Sequence, residues 1–205
     1  MTSGRRRGAA VSNSPITEPV EALLSVRIAA GEAPRRAFGR RECDFAYGRL
    51  YIPSLVLDYT FLFLRQAGVT GEERFLVWAG TLAAGDAFVS TVVLPRAHPG
   101  YLHGEIEADV TGRLFEALDQ RDLVPLAQVH SHPRGAGISA TDRERPLVAQ
   151  AGFLSIIVPD FAFVPLDDVA RWGVYEYRDK REWRTLPTSE KRDRLVVDDS
   201  IIGIE

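Results

Sequence analysis

Residues 128–142 read Gln-Val-His-Ser-His-Pro-Arg-Gly-Ala-Gly-Ile-Ser-Ala-Thr-Asp, and this stretch constrains the chain more than any other. It follows an apolar run at 123–129 that reads as a buried β-strand. Side chains at i and i+2 of a strand share a face, so His130 and His132 project together while Ser131 turns away. Pro133 cannot donate a further ladder hydrogen bond and ends the strand. Gly135 and Gly137 allow the loop to turn back. Ser139 then reads as a helix N-cap with Asp142 at the third helical position, which brings a carboxylate to the two imidazoles. Two His and one Asp form a three-ligand zinc site whose fourth tetrahedral position is left for water, the catalytic rather than the structural arrangement.

Each of these residues also has a plainer reading. A lone His-x-His pair can be two exposed histidines at a strand end. Ser139 can be a helix cap and nothing more, and Asp142 a first-turn acid that complements the helix dipole. The coincidence of all four within one strand–loop–helix favours the metal site. The remaining histidines, His98 and His103, lie near Glu105 and Glu107, but their spacing fits neither a strand face nor a helix face, so they read as loop residues. Cys43 sits in no recognisable nucleophile motif and reads as inert packing. Trp78, Trp172 and Trp183 read as core or sheet-surface aromatics.

The 205 residues suffice for one domain of ordinary size. A formal net charge of −3 gives no electrostatic case for a nucleic-acid partner. The single cysteine excludes an internal disulfide framework and suits a reducing cytoplasm. No apolar run reaches the ~18 residues of a bilayer span, so no membrane association is expected. Residues 1–15 contain Arg5, Arg6 and Arg7 without a following apolar segment. They read as a disordered basic tail rather than a signal peptide. The expected organisation is this tail, a domain at 16–190, and a C-terminal tail or final strand at 191–205.

Along the chain, residues 20–29 fit either a short helix or a strand. A strand is predicted at 49–52. A helix follows at 54–66, with Pro53 at its start and Gly68 at its end, apolar on most sides and so expected to be deeply buried. A hairpin is predicted from 73–82 and 88–95 around the turn at 83–86. A helix at about 110–120 should bury Leu114, Phe115 and Leu118. After the metal loop come a short helix limited by Pro146, a strand at 153–159, an alternating strand at 172–178 and another at 182–186. This succession of strands and helices predicts an α/β domain with helices packed on a mixed sheet. The apolar clusters at 195–197 and 201–204 read as a final strand, or else as a partner-binding segment.

His-Ser-His-Pro, a Gly-containing loop and Ser-x-x-Asp resemble the signature of the JAB1/MPN/Mov34 (JAMM) zinc metalloproteases. The resemblance covers roughly residues 49–186. It implies a JAB/MPN-like, cytidine-deaminase-like fold in which His130, His132 and Asp142 bind Zn2+ and Ser139 supports the tetrahedral intermediate. It also implies a general-base Glu on an earlier strand. Glu73 and Gly80 stand at the family's separation of base and strand-closing Gly, so Glu73 is the expected base, with Glu72 the alternative. The interval from His132 to Ser139 is one residue shorter than the family's.

What the resemblance implies for function is zinc-dependent isopeptidase or peptidase chemistry on the extended C-terminal tail of ubiquitin or a ubiquitin-like protein. The short chain resembles bacterial stand-alone members, which implies deconjugation or precursor maturation beside E1/E2-like proteins, in some cases in antiphage defence. Two other classes stand against it. An inactive MPN-type scaffold is disfavoured because every motif position has a candidate residue. The DNA-repair branch carries His-Asn-His-Pro-Ser-Gly, whereas here Ser131 separates the histidines and Arg134-Gly135 follows Pro133.

Overall fold

A computed structural model describes residues 23–25, 45, 47–95 and 108–199, with the backbone alone at 23–25 and 108–110. The elements run β1 (Leu23–Ser25), β2 (Leu50–Ile52), α1 (Ser54–Gly68), β3 (Phe75–Ala83), β4 (Asp86–Val93), α2 (Ala108–Asp119), β5 (Val124–Ser131), α3 (Ala140–Glu144), β6 (Leu154–Val158), β7 (Gly173–Tyr177), β8 (Trp183–Thr185), α4 (Thr188–Arg194) and β9 (Leu195–Val197). Single 3-10 turns occupy Asp160–Ala162 and Val169–Arg171. Among the described residues no helix is long and apolar enough to cross a membrane.

The strands form one mixed sheet in the order β8-β7-β6-β5-β3-β4-β2-β9, with β1 antiparallel to β4. The β5–β6, β2–β4 and β2–β9 pairs are parallel, and the remaining neighbours are antiparallel. The β3–β4 hairpin turns on Ala84 (φ 53°) and Gly85 (φ 82°). Two consecutive positive φ angles twist a two-residue loop in the sense the strands require. At Gly80 the β3–β4 ladder slips by a residue, and a Cβ there would lie 1.9 Å from the Phe88 carbonyl oxygen. Only glycine lets the two backbones approach so closely.

Successive β3 residues face opposite layers. Trp78 packs with Val56, Leu57, Phe61 and Leu64 of α1 and with Trp172 and Phe153. Val77 and Ala79 pack with Leu114 and Leu118 of α2. The helices therefore cover the sheet from both sides, and β5 and β6 are buried on both faces. Such strands read as continuous apolar runs. The polar residues within them need partners, and they have them. Gln128 donates through Nε2 to Ser155 Oγ (3.0 Å) and accepts at Oε1 from the Leu147 N–H (3.0 Å). Trp78 Nε1 donates to Thr60 Oγ1 (2.8 Å).

Several expectations are corrected. β3 starts at Phe75 rather than 73 and runs past Gly80 to Ala83. Gly80 thus lies inside the strand, beside a bulge whose extra residue is Ser90 of β4, and is not the strand's end. α1 is apolar on most sides but not buried on all of them: Leu55 and Leu62 are 41% and 47% exposed, on a face the sheet cannot reach. Phe115 is 36% exposed because α2 buries only the stripe of Leu114 and Leu118. β7 is buried at all five positions, since β6 and β8 flank it and both faces are covered. The limit expected at Pro146 holds, since α3 stops at Glu144.

Helix α4 has no counterpart in the sequence reading. Its sequence, Thr-Ser-Glu-Lys-Arg-Asp-Arg, carries no apolar periodicity. Charged contacts hold it instead. Arg194 Nη1 donates to Glu176 Oε1 on β7 (3.0 Å), Arg184 Nε donates to Glu176 Oε2 (2.9 Å), and Arg184 Nη1 donates to Glu190 Oε2 on α4 (2.6 Å). Cys43, His98, His103, Glu105 and Glu107 lie outside the described residues, as do 1–15 and 201–204.

Candidate metal centre

β5 delivers the first two candidate ligands. His130 lies inside the strand at 4% exposure. His132 follows its last residue and extends the ladder, its N–H donating to the Val158 carbonyl (3.0 Å). The His132 carbonyl in turn accepts from the Phe161 N–H (2.8 Å). The chain then reverses through a loop in which Gly135 has φ 60°. Gly137 is not needed for the turn, because its φ is not in the left-handed region.

The loop leads into α3 through a reciprocal cap. Ser139 has extended backbone angles (φ −75°, ψ 169°). Its Oγ accepts from the Asp142 N–H (3.1 Å), and Asp142 Oδ2 accepts from the Ser139 N–H (2.9 Å) and from Ser139 Oγ (2.6 Å). The cap satisfies donors that a helix start leaves orphaned, and it also orients the Asp142 carboxylate.

That orientation completes a three-atom cluster. The Nε2 atoms of His130 and His132 are 3.1 Å apart, and each is 3.5 Å from Asp142 Oδ2. A tetrahedral zinc with ligand bonds of ~2.0–2.1 Å has ligand–ligand edges of about 3.3–3.4 Å. The three observed separations bracket that value. Two imidazole nitrogens aimed at one another and at the same oxygen share at most a proton or two, whereas a cation satisfies all three lone pairs at once. The donor set of two imidazoles and one carboxylate therefore fits a divalent metal.

The electrostatics agree. Burial pushes the Asp142 carboxyl up, but hydrogen bonds with His130, His132 and Ser139 outweigh it and hold the group well below the usual carboxylate range. The group is thus an anion at neutral pH, as a ligand must be. One detail departs from common metal sites. His130 Nδ1 is buried without a hydrogen-bond partner among the described residues, whereas ligating histidines usually donate that N–H to a carboxylate or carbonyl.

The other two candidates sit differently. Glu73 precedes β3 and is exposed. Phe75 pairs with His130, and Arg74 meets Ser131 through two hydrogen bonds (3.1 and 3.3 Å). Glu73 lies one residue beyond the last of these contacts, ahead of the paired strand. Phe75 itself stacks on the His130 ring, with centroids 6.3 Å apart. Glu72 instead closes the turn after α1, its N–H donating to the Ala67 carbonyl (3.0 Å). Ser139 Oγ is close to the cluster, but its hydrogen is directed at Asp142.

Three residues that support the site escaped the sequence reading. Gln128 holds the segment after α3 through Leu147, and a polar residue inside an apolar strand was the available signal. Tyr175 and Gly173 on β7 carry the metal loop. The Tyr175 hydroxyl donates to the Ala136 carbonyl (2.8 Å) and accepts from the Ile138 N–H (3.1 Å). A contact across 39 residues leaves no local trace in sequence.

No family model matches the sequence. The probable metalloprotease y4jG of Sinorhizobium fredii is 32% identical over 130 residues, covering 62% of this chain and 80% of that protein. A solution structure of a protein from Desulfitobacterium hafniense aligns with a TM-score of 0.51 at 17% identity, covering 73% of this chain and 93% of that one, which shows a shared fold. A JAB1/MPN domain protein from Archaeoglobus fulgidus aligns with a TM-score of 0.41 at 16% identity, covering 72% and 98%. With most of a metalloprotease relative matched and the His-x-His and Ser-x-x-Asp residues gathered into one cluster, the chain belongs to the JAB1/MPN/Mov34 (JAMM) metalloprotease family.

Proposed function

We propose that the chain is a cytoplasmic zinc-dependent isopeptidase or peptidase. Its substrate is the extended C-terminal tail of a ubiquitin-like protein, and it acts beside the E1/E2-like proteins of the same pathway. The observation that carries the peptidase reading is the convergence of His130 Nε2, His132 Nε2 and Asp142 Oδ2 within 4.8 Å of one another. The substrate class is supported by the motif resemblance, and by the ease with which an extended tail docks against strands.

His130, His132 and Asp142 would hold the zinc. Bound there, zinc supplies an acidified water and a polarised scissile carbonyl. Glu73, just ahead of β3 and open to solvent, takes a proton on its carboxylate and returns it to the leaving nitrogen. Ser139 first keeps Asp142 in place. To donate to a substrate oxygen it must turn its hydrogen away from Oδ2, a single rotation about the Cβ–Oγ bond.

The test is cleavage of a ubiquitin-like protein carrying a C-terminal amide fusion, by wild type and Glu73→Gln at matched zinc content. The expected result is turnover by wild type and a loss of about 10²–10⁴-fold in the variant. Full activity in Glu73→Gln overturns the role of Glu73. A zinc-loaded wild type inert on such fusions overturns the substrate class.

A further inference from the structure

Helix α3 has five residues, none of them buried. A helix so short has no stability of its own, and no side chain anchors it in the core. Yet it carries Asp142, which must meet two histidines fixed at the end of a fully buried strand. Polar ties from neighbouring strands do the anchoring. Trp183 Nε1 donates to the Arg143 carbonyl (3.2 Å), and Gln128 Oε1 accepts from the Leu147 N–H beyond the helix.

The third tie acts ahead of the helix. Ala136 lies between His132 and Ser139, at the outer turn of the loop. Its carbonyl oxygen would be 1.9 Å from a Cβ at Gly173 and receives the Tyr175 hydroxyl at 2.8 Å. Gly173 and Tyr175, two apart on β7, share one face. Together they form a seat for this one carbonyl, while the same hydroxyl accepts from the Ile138 N–H. Tyr175 is itself fixed, 7% exposed and laddered to Ser155 on β6 and Thr185 on β8. The platform is the sheet interior.

We propose that Tyr175, with the gap left by Gly173, is a positioning residue for the metal centre: its hydroxyl seats the loop at Ala136 and Ile138 and so sets the distance at which Asp142 meets His130 and His132. The proposal rests on the reading that these three residues hold zinc. It also gives the shortened His132-to-Ser139 interval a physical consequence, since a loop with less slack must follow the surface beneath it closely.

The experiment compares wild type, Tyr175→Phe, Gly173→Ala and the control Tyr177→Phe, all as full chains. Tyr177 lies on the same strand, and its hydroxyl accepts from the Arg181 N–H (3.1 Å), away from the loop. Zinc dissociation constants are measured by competition with a chromogenic chelator on protein verified as folded. Visible absorption of the cobalt-substituted proteins reports coordination geometry. Tyr175→Phe keeps the ring and loses only the seat, so zinc should bind about 10–100-fold more weakly with an altered cobalt spectrum. Gly173→Ala should behave alike. Tyr177→Phe should stay within about twofold and keep the wild-type spectrum.

A purely structural role would lower the unfolding midpoint of the metal-free protein in both tyrosine variants and leave the zinc constants of folded protein alone; that result overturns the proposal. Wild-type affinity in folded Tyr175→Phe, or in Gly173→Ala if Tyr175→Phe fails to fold, overturns the positioning role while the zinc reading stands. A wild type that binds no zinc overturns both.

Discussion

The two halves of the metal centre are supported in opposite ways. His130 comes from β5, whose eight residues are all buried between β3 and β6, and His132 follows the strand's last residue, laddered to Val158 of β6. Their placement is a by-product of the core and is as stable as the fold. Asp142 comes from a five-residue helix with nothing buried, held by a cap, two side-chain ties and the Tyr175 seat. One half should respond to packing defects through global unfolding. The other should respond to lost hydrogen bonds through metal affinity while the fold survives. A site assembled from a rigid and a tethered half can admit a cation and then close on it, because only one side needs to move.

The largest expected effect lies on the strand side. Ile156 is fully buried on β6, paired with Val129. Ile156→Ala should cost about 2–5 kcal/mol of unfolding free energy in urea, with zinc affinity of the remaining folded protein unchanged. If zinc affinity fell while stability held, the distinction between the halves would fail.

Next comes the charged lattice beneath β7. Glu176, 6% exposed, receives Arg184 and Arg194, and Glu176→Gln should cost about 1.5–3 kcal/mol at pH 7. Burial pushes the Glu176 carboxyl up, but the two arginine hydrogen bonds and the nearby charges of Arg194 and Arg178 more than offset it. Its folded value therefore lies below the unfolded ~4.3. The stabilisation is full above that unfolded value and drains as the pH falls through the folded one. The gap between wild type and Glu176→Gln should accordingly narrow on the acid side in urea titrations; a gap independent of pH would refute the sign.

Ser139→Ala removes the cap and the hydrogen bond into Asp142, at about 1 kcal/mol. Its clearer signature is weaker zinc binding, measured by chelator competition. Trp183→Phe is the mildest, because its bond to Arg143 is at the surface. About 0.5 kcal/mol is expected, with a smaller loss of zinc affinity than in Ser139→Ala. A larger loss would move the main tether of α3 from its first turn to its last.

The same contrast explains what the sequence disclosed. His130 and His132, and separately Ser139 and Asp142, belong to local patterns with periods of two and three residues, and both pairs were legible. So was the order of elements from β2 to β8, because apolar runs and turn residues mark each one. Long-range supports were not legible. Tyr175 meets the loop across 39 residues, and α4 is fixed by charges to β7 and β8. The exposure of Phe115 depends on which face of α2 the sheet covers, and that is decided by tertiary packing. Glu73 was chosen over Glu72 by spacing. In the structure Glu72 closes the turn after α1, and Glu73 stands exposed just ahead of β3.

The central claim is that His130, His132 and Asp142 together bind a zinc ion, and metal stoichiometry tests it most directly. Wild type and His132→Ala would be dialysed against zinc and then buffer, and metal counted per folded chain. The account predicts about one zinc per wild-type chain and essentially none in a folded His132→Ala, because two ligands cannot hold what three do. Equal zinc in both, or none in wild type under metal-replete conditions, would contradict it.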